Sequence, residues 1–500
     1  MINNKLYYLE IFKVSEENLH SLAAECLSHG GDYADLYFEN TYYDELMLMD
    51  GEVSSGGSHV DYGVGIRVLK GEKTGYAYSE STQIASMMNA AKAAAAIAGN
   101  VGNVDGERAL RDSRDQAATY ATVGNNGDHR VRVFFNGEPN PCADRYPIVT
   151  DWRECRASMF LPFMKKLQAS IMSKDNRIVK LIAMLSDQVS DYLMFNSFGE
   201  LKYETRPMAS ISLSVIFSQD GSIENKTVSR SFRMGAEMLT DALVEEMALQ
   251  VVNRIDDRFA AKRPKGGKMP VVMGAGASGI LLHEAMGHAF EADFIRKGQS
   301  IFNDKLGKKV CNSCISIVDD ATVRGNRGSL NFDDEGVPGQ KTTMVENGVL
   351  TSFLHDRISA KFFSVTPTGN GRRENFRYNP IPRMRATYME NGNSNPSDII
   401  ASVKKGIYVD EFANGQVKIG EGDFTFYVKS CYLIENGRLT MPLKDINIIG
   451  NGPNALADIV AVGNDLKIDN GTWTCGKEQN VPVSCGMPTV LVKSLTVGGE

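Results

Sequence analysis

Nowhere in the 500 residues does an apolar run approach the ~18 to 20 residues that cross a bilayer, so no transmembrane helix is expected. The first residues, Met1-Ile2-Asn3-Asn4-Lys5-Leu6-Tyr7-Tyr8, lack the basic, apolar and small-residue regions of a secretory signal, and the expected location is the cytoplasm. An excess of basic charge is also missing. The formal net charge is −7, which gives no general electrostatic grip on nucleic acid. The eight cysteines are scattered, as in a reducing compartment, and do not form a disulfide framework. What is present is an ordinary globular composition, 42% hydrophobic and 23% charged, over a length that suggests two to four units with their own cores.

Periodicity sets the organisation. Ser15 is a candidate N-cap, with Glu17 in the first turn, and Leu19, Leu22, Ala23 and Cys26 recur at helical spacing. Strand-like runs follow at 34–39, 45–49, 63–69 and 75–78, and an Ala- and Met-rich helix is expected over 83–98. Residues 99–150 are an irregular, Gly-, Asn-, Asp- and Pro-rich insertion with one short strand at Arg130–Phe135. Helices are expected from about Ala157 to Ser173 and over 235–255, with alternation typical of a strand at 209–215. The break Arg263-Pro264-Lys265-Gly266-Gly267-Lys268 divides the chain into an N-terminal α+β domain, 1–262, and a C-terminal domain, 263–500. The second is rich in hairpin signals. Glu346-Asn347-Gly348-Val349-Leu350-Thr351 and Glu435-Asn436-Gly437-Arg438-Leu439-Thr440 share a pattern, either as an internal repeat or as two separate hairpins. The fold class is therefore α+β, with a strand-rich C-terminal catalytic domain carrying one metal-binding helix.

The chemistry concentrates in Leu281-Leu282-His283-Glu284-Ala285-Met286-Gly287-His288. Two histidines on one helix can bind one metal if both rings face the same way. At i and i+5 they diverge by about 140° on a regular α-helix. A π-type bulge, or a helix ending at the second histidine, would bring them together, and Gly287 is the residue expected to permit it. Glu284 beside the first histidine suits a general base acting on water at the metal.

A catalytic zinc needs a third protein ligand. Glu291 and Asp293 are nearby candidates, and Cys475, between turn-forming residues in Gly471-Thr472-Trp473-Thr474-Cys475-Gly476, is another; Cys485 is less obviously placed. Cys311-x-x-Cys314 precedes a strand-like run and reads as structural thiols, with redox chemistry as the competing reading.

Together with the histidine segment, several later motifs carry a family resemblance. They are Phe332-Asp333-Asp334-Glu335-Gly336-Val337-Pro338-Gly339-Gln340, Thr366-Pro367-Thr368-Gly369-Asn370-Gly371-Arg372-Arg373-Glu374, Val462-Gly463-Asn464-Asp465-Leu466, Thr474-Cys475-Gly476-Lys477 and Leu495-Thr496-Val497-Gly498-Gly499. In this order they resemble the TldD branch of the TldD/PmbA metalloprotease family, once described as modulators of DNA gyrase. The match is dense from about residue 263 onward. The resemblance implies Zn2+ held by His283, His288 and Cys475, with Glu284 as catalytic base. It also implies a homodimer, or a heterodimer with a metal-less paralogous subunit, that encloses the site in a cavity open to unfolded peptides, including peptide-antibiotic precursors and labile antitoxins.

Asn370, Arg372 and Arg373 are candidate substrate-binding residues, because exposed backbone at Gly369 and Gly371 could pair with an extended peptide and a guanidinium could hold a carboxylate. A surface turn with structural ion pairs is the alternative. His355 reads as an ordinary hairpin residue, Glu291 and Asp293 as partners of the metal-binding histidines or solvated carboxylates, and Asp333-Asp334-Glu335 as a turn. The competing function is a non-catalytic regulatory subunit acting on gyrase-related or toxin–antitoxin proteins.

Overall fold

The computed structural model of the chain describes residues 4–100, 144–155, 157–418 and 421–499. The strand expected at Arg130–Phe135 lies outside them. The N-terminal half is built on one antiparallel sheet of six strands in the order β3-β2-β1-β4-β5-β6. These are β1 (Tyr33–Met49), β2 (Glu52–Lys70), β3 (Lys73–Ser79), β4 (Ile178–Asn196), β5 (Leu201–Gln219) and β6 (Ser222–Phe232). Two sequence runs, 34–39 and 45–49, are one strand here. The polar residues between them stay extended because β1 is hydrogen-bonded on both sides, to β2 and β4, along nearly its whole length. β2 likewise begins well before residue 63. Asp50-Gly51 and Asp220-Gly221 both take positive φ, the geometry of tight hairpin turns, and join β1 to β2 and β5 to β6.

The two faces of this sheet have different partners. One face carries Leu36, Phe38, Val64, Ile66 and Leu193 at one end, under the helices α1 (Lys5–Phe12), α2 (Glu16–Leu27) and α3 (Ile84–Asn100). The same face carries Leu46, Leu48, Leu181, Ala183 and Leu213 at the other end, under the helices Ala157–Lys174 and Asp241–Val252. Ser15 caps α2 through a reciprocal bond with Asn18. The helix expected over 235–255 is shorter and is followed by a separate turn, Ile255–Ala260, because Arg254 is left-handed. The opposite face presents Asp35, Tyr37, Tyr192 and Arg206 to the second half of the chain. Tyr37, Tyr192 and Met194 pack on Phe332 and Phe376. Arg67 bridges Asp35 at 2.5 Å and Glu335 at 2.6 Å, and Arg206 reaches Asp334 at 2.6 Å, all buried.

The second half is strand-rich, and its helices among the described residues are at most seven residues long. The strands 267–273, 490–498, 446–451, 423–435 and 405–418 pair in a ring that closes on itself, with 405–418 parallel to 267–273. A second sheet runs in the order 349–350, 341–346, 317–320, 386–389, 484–487, 467–468. Asn347-Gly348 and Asn436-Gly437 take the positive φ values their hairpins require. The histidine segment packs against the ring on one side and against strands 386–389 and 484–487 on the other. Leu281, Leu282, Ala285, Met286 and Phe290 fill this core. Each large side chain contributes about 1.5–3 kcal/mol by leaving water. No helix among the described residues is long and apolar enough to cross a membrane.

Candidate metal centre

The segment that carries both histidines changes helical type four times in twenty residues. A 3-10 turn at Ala277–Gly279 leads into Ile280–Leu282, a π-turn covers His283–Gly287, a second 3-10 turn covers His288–Phe290, and Ala292–Arg296 is α-helical. The N–H of His288 donates to the carbonyl of His283, an i+5 to i bond. That bond stacks two positions which a regular α-helix would separate. The rings lie 5.0 Å apart, centroid to centroid, with planes at 86°. Gly287 contributes differently from the sequence expectation. Its backbone is ordinary right-handed helix, φ −54° and ψ −50°. What matters is its missing side chain, since a Cβ there would collide with the sulfur of Met384.

Cys475 arrives from the other end of this half. It lies in the two-residue strand Thr474–Cys475, which pairs with Val481–Pro482. Its Sγ is 3.3 Å from His288 Nε2. One donor atom each from His283, His288 and Cys475 lie within 4.8 Å of one another, and all three residues are buried. Burial pushes the thiol up, but the two imidazoles outweigh it and hold Cys475 well below an ordinary cysteine. The thiolate is the form that binds metal. Glu284 is partly exposed, whereas its neighbours in the turn are buried.

Glu291 is the strongest partner of the triad. It is fully buried, and its Oε2 is 2.9 Å from His288 Nδ1. Burial pushes its carboxyl up, but Lys477, His288 and Arg383 together hold it low and ionised. Lys477 Nζ is 3.0 Å from Glu291 and 2.8 Å from Asp293. Both acidic residues are thus internal partners, not solvated groups. An anionic acceptor on the far nitrogen of a ligating imidazole fixes its tautomer and raises its basicity. Arg383 escaped the sequence reading because it is near neither the histidines nor the cysteine in the chain, and Lys477, though part of the cysteine motif, carried no role there.

The other candidates do not join the triad. Asn370, Arg372 and Arg373 are buried, and their donors point inward. Asn370 Nδ2 donates to Asp319 at 2.7 Å and to the carbonyl of Arg383 at 2.9 Å. Arg372 donates to the carbonyls of Met384 and Pro482, and Arg373 to the carbonyl of Asp334. The glycine turn is therefore buried, with its polar side chains bonded inside the fold. Asp333-Asp334-Glu335 is a turn, and a buried one whose Asp334 and Glu335 carboxylates engage the N-terminal sheet. His355 is buried, bonds Ser359, and is pushed down to about 3 by burial. Cys485 is a buried free thiol raised by burial and by Asp469 and Glu284. Cys311 and Cys314 are free, and burial raises Cys311 to about 12, opposite to a reactive thiol.

The family models matched are the PmbA/TldA metallopeptidase domain 1 at 34–98, the central domain at 157–259 and the C-terminal domain at 266–499. A "Metalloprotease TldD homolog" of Haemophilus influenzae is 36% identical over 482 residues, 95% of each chain. The chain belongs to the PmbA/TldD family of metallopeptidases. A TldD homologue of Buchnera aphidicola is 33% identical over 97% of each chain. A relative from Saccharolobus solfataricus, called a "Zinc metalloprotease TldD homolog", is 33% identical over 51% of this chain and 57% of its own. Among solved structures, a Thermotoga maritima protein designated a modulator of a DNA gyrase superposes with a TM-score of 0.75 at 23% identity, over 98% of this chain and 100% of its own. TldE from Thermococcus kodakarensis superposes at 0.70 and 18% identity, over 96% of this chain and all of its own. Both share the α+β fold. As a member of the PmbA/TldD family the chain is a metallopeptidase.

Proposed function

We propose that the metal is zinc, that His283, His288 and Cys475 hold it, and that Glu284 is the general base for hydrolysis of extended peptides. The observation that carries this reading is the convergence of three buried donors, two from the histidine segment and one, Cys475, that follows His288 by 187 residues. The donors fit zinc in type, two nitrogens and one sulfur, with a position left for substrate. His283 Nδ1 is buried and without a hydrogen bond, a cost that a bound ion at this ring would explain. Bound zinc would polarise the scissile carbonyl and lower the pKa of a water to about 7.

The protein's own groups do the rest. Cys475 presents a thiolate, and Glu291 fixes the His288 ring through Nδ1. Glu284, partly exposed and next to His283 in the chain, takes a proton from the attacking water and returns it to the leaving nitrogen. The substrates of this reading are unfolded peptides that thread into a cavity enclosed by a cytoplasmic dimer, either of two copies or with a metal-less paralogue. The test is metal analysis of the purified protein, alone and with such a paralogue, alongside cleavage of an unstructured peptide. About one zinc per chain and chelator-sensitive cleavage are expected. Protein that takes up no zinc in either form would end the reading.

A further inference from the structure

We infer that Arg383 is a positioning residue that delivers the Cys475 thiolate to the two histidines, clasping the cysteine loop to the histidine segment together with Lys477. The inference rests on the ligand set proposed above. The Arg383 side chain is wholly buried. Its Nη2 donates to the carbonyl of Cys475 at 2.7 Å, and its Nη1 donates to those of Lys477 at 2.9 Å and Gln479 at 2.8 Å. Three carbonyls of one short run converge on a single guanidinium. The run's regular structure is one two-residue strand pair, Glu478 sits at φ 54°, a region that favours glycine, and the tethers of the Gln479 side chain, to Asn379 and Glu374, lie beyond the cysteine.

Lys477 closes the clasp from the other direction. Its Nζ reaches Glu291 and Asp293, both on the histidine segment, and the carbonyl of Pro382 at 3.2 Å, next to Arg383 in the chain. Arg383 Nε and Glu291 Oε1 each carry no hydrogen bond and face each other at 3.9 Å. Glu291 therefore meets His288 and Lys477 of the cysteine loop through Oε2 and faces Arg383 through Oε1. A planar fork of fixed donors holds carbonyls in set directions, which the compact, rotating ammonium of a lysine at the same place does not. If Arg383 merely filled core volume, an apolar side chain of similar length would leave Cys475 where it is.

The experiment uses the full-length protein, stripped of metal and reloaded with Co2+, whose thiolate ligand gives a near-ultraviolet charge-transfer band. Wild type is expected to show the band and Cys475→Ser to lose it. Arg383→Met is expected to bind Co2+ about 10- to 100-fold more weakly, with a reduced band per bound cobalt. In its metal-free form, alkylation of Cys475, followed by mass spectrometry of each cysteine, should run faster than in wild type while Cys485 does not change. Arg383→Lys should behave like Arg383→Met. If Arg383→Met does not fold, Lys477→Met carries the same measurements and the same expected direction. Equal band, affinity and alkylation rate in wild type and variant would overturn the positioning role and leave the ligand set standing. A wild type whose cobalt spectrum is unchanged by Cys475→Ser would overturn both.

Discussion

Glu284 and Gly287 sit in the same π-turn and answer different questions. Glu284→Ala leaves the three donors untouched, so zinc content should stay at the wild-type level while peptide hydrolysis falls by about 10²–10⁴-fold. Activity that persists in the zinc-loaded variant would remove Glu284 from the reaction. Gly287→Ala adds a methyl group where Met384 packs, at a cost of roughly 1–3 kcal/mol in thermal or denaturant unfolding. Adding Met384→Ala makes room. The double variant should therefore be more stable than the sum of the two single losses, which a double-mutant cycle measures. That His283, His288 and Cys475 come together was legible in the chain, from the paired histidines and, for the cysteine, from family resemblance. Met384, Arg383 and Lys477 were not, because contact across the fold leaves no local pattern. The same holds for the glycine turn, whose arginines read as exposed until burial turned them inward.

At the level of elements, the N-terminal sheet carries acids that its burial keeps protonated. Asp187 on β4 faces Asp44 on β1 directly in register. Burial, with Asp44 and Asp151 adding repulsion, raises Asp187 to about 8, and one of its oxygens has no hydrogen bond. Between about pH 4 and pH 8 the folded protein keeps a proton that the unfolded chain gives up. Stability therefore falls as pH rises across that window, by up to about 1.4 kcal/mol per unit for one group. Asp187→Asn should flatten this slope and raise the unfolding midpoint at pH 8.5 more than at pH 5. An equal shift at both pH values would place the effect in packing. Glu39, raised to about 8 chiefly by burial, keeps part of the slope in the variant. The helices and Asn-Gly hairpins of this fold could be read from spacing and turn chemistry. The lengths of β1 and β2 could not, because their polar centres are extended only through pairing with neighbouring strands.

Across the whole molecule, the contact between the N-terminal sheet and the rest depends on buried ions. Arg67 is fully enclosed between Asp35 and Glu335. Arg67→Met takes from the buried Asp35 and Glu335 carboxylates their shortest cationic partner and should destabilise the protein by about 3–5 kcal/mol. Limited proteolysis should then separate the two halves before either is degraded, and wild-type resistance to cleavage would refute the role of this ion bridge. The α+β class and the strand-rich second half were visible in the sequence, but the closed ring of strands was not, since it joins 267–273 to 490–498 across most of that half. The order of the metal-site residues along the chain has a consequence for biosynthesis. A ribosome makes both imidazoles long before the sulfur, which follows His288 by 187 residues. On the proposed ligand set a nascent or truncated chain thus has two of three donors, and a complete centre forms only once the cysteine strand has been made and has docked.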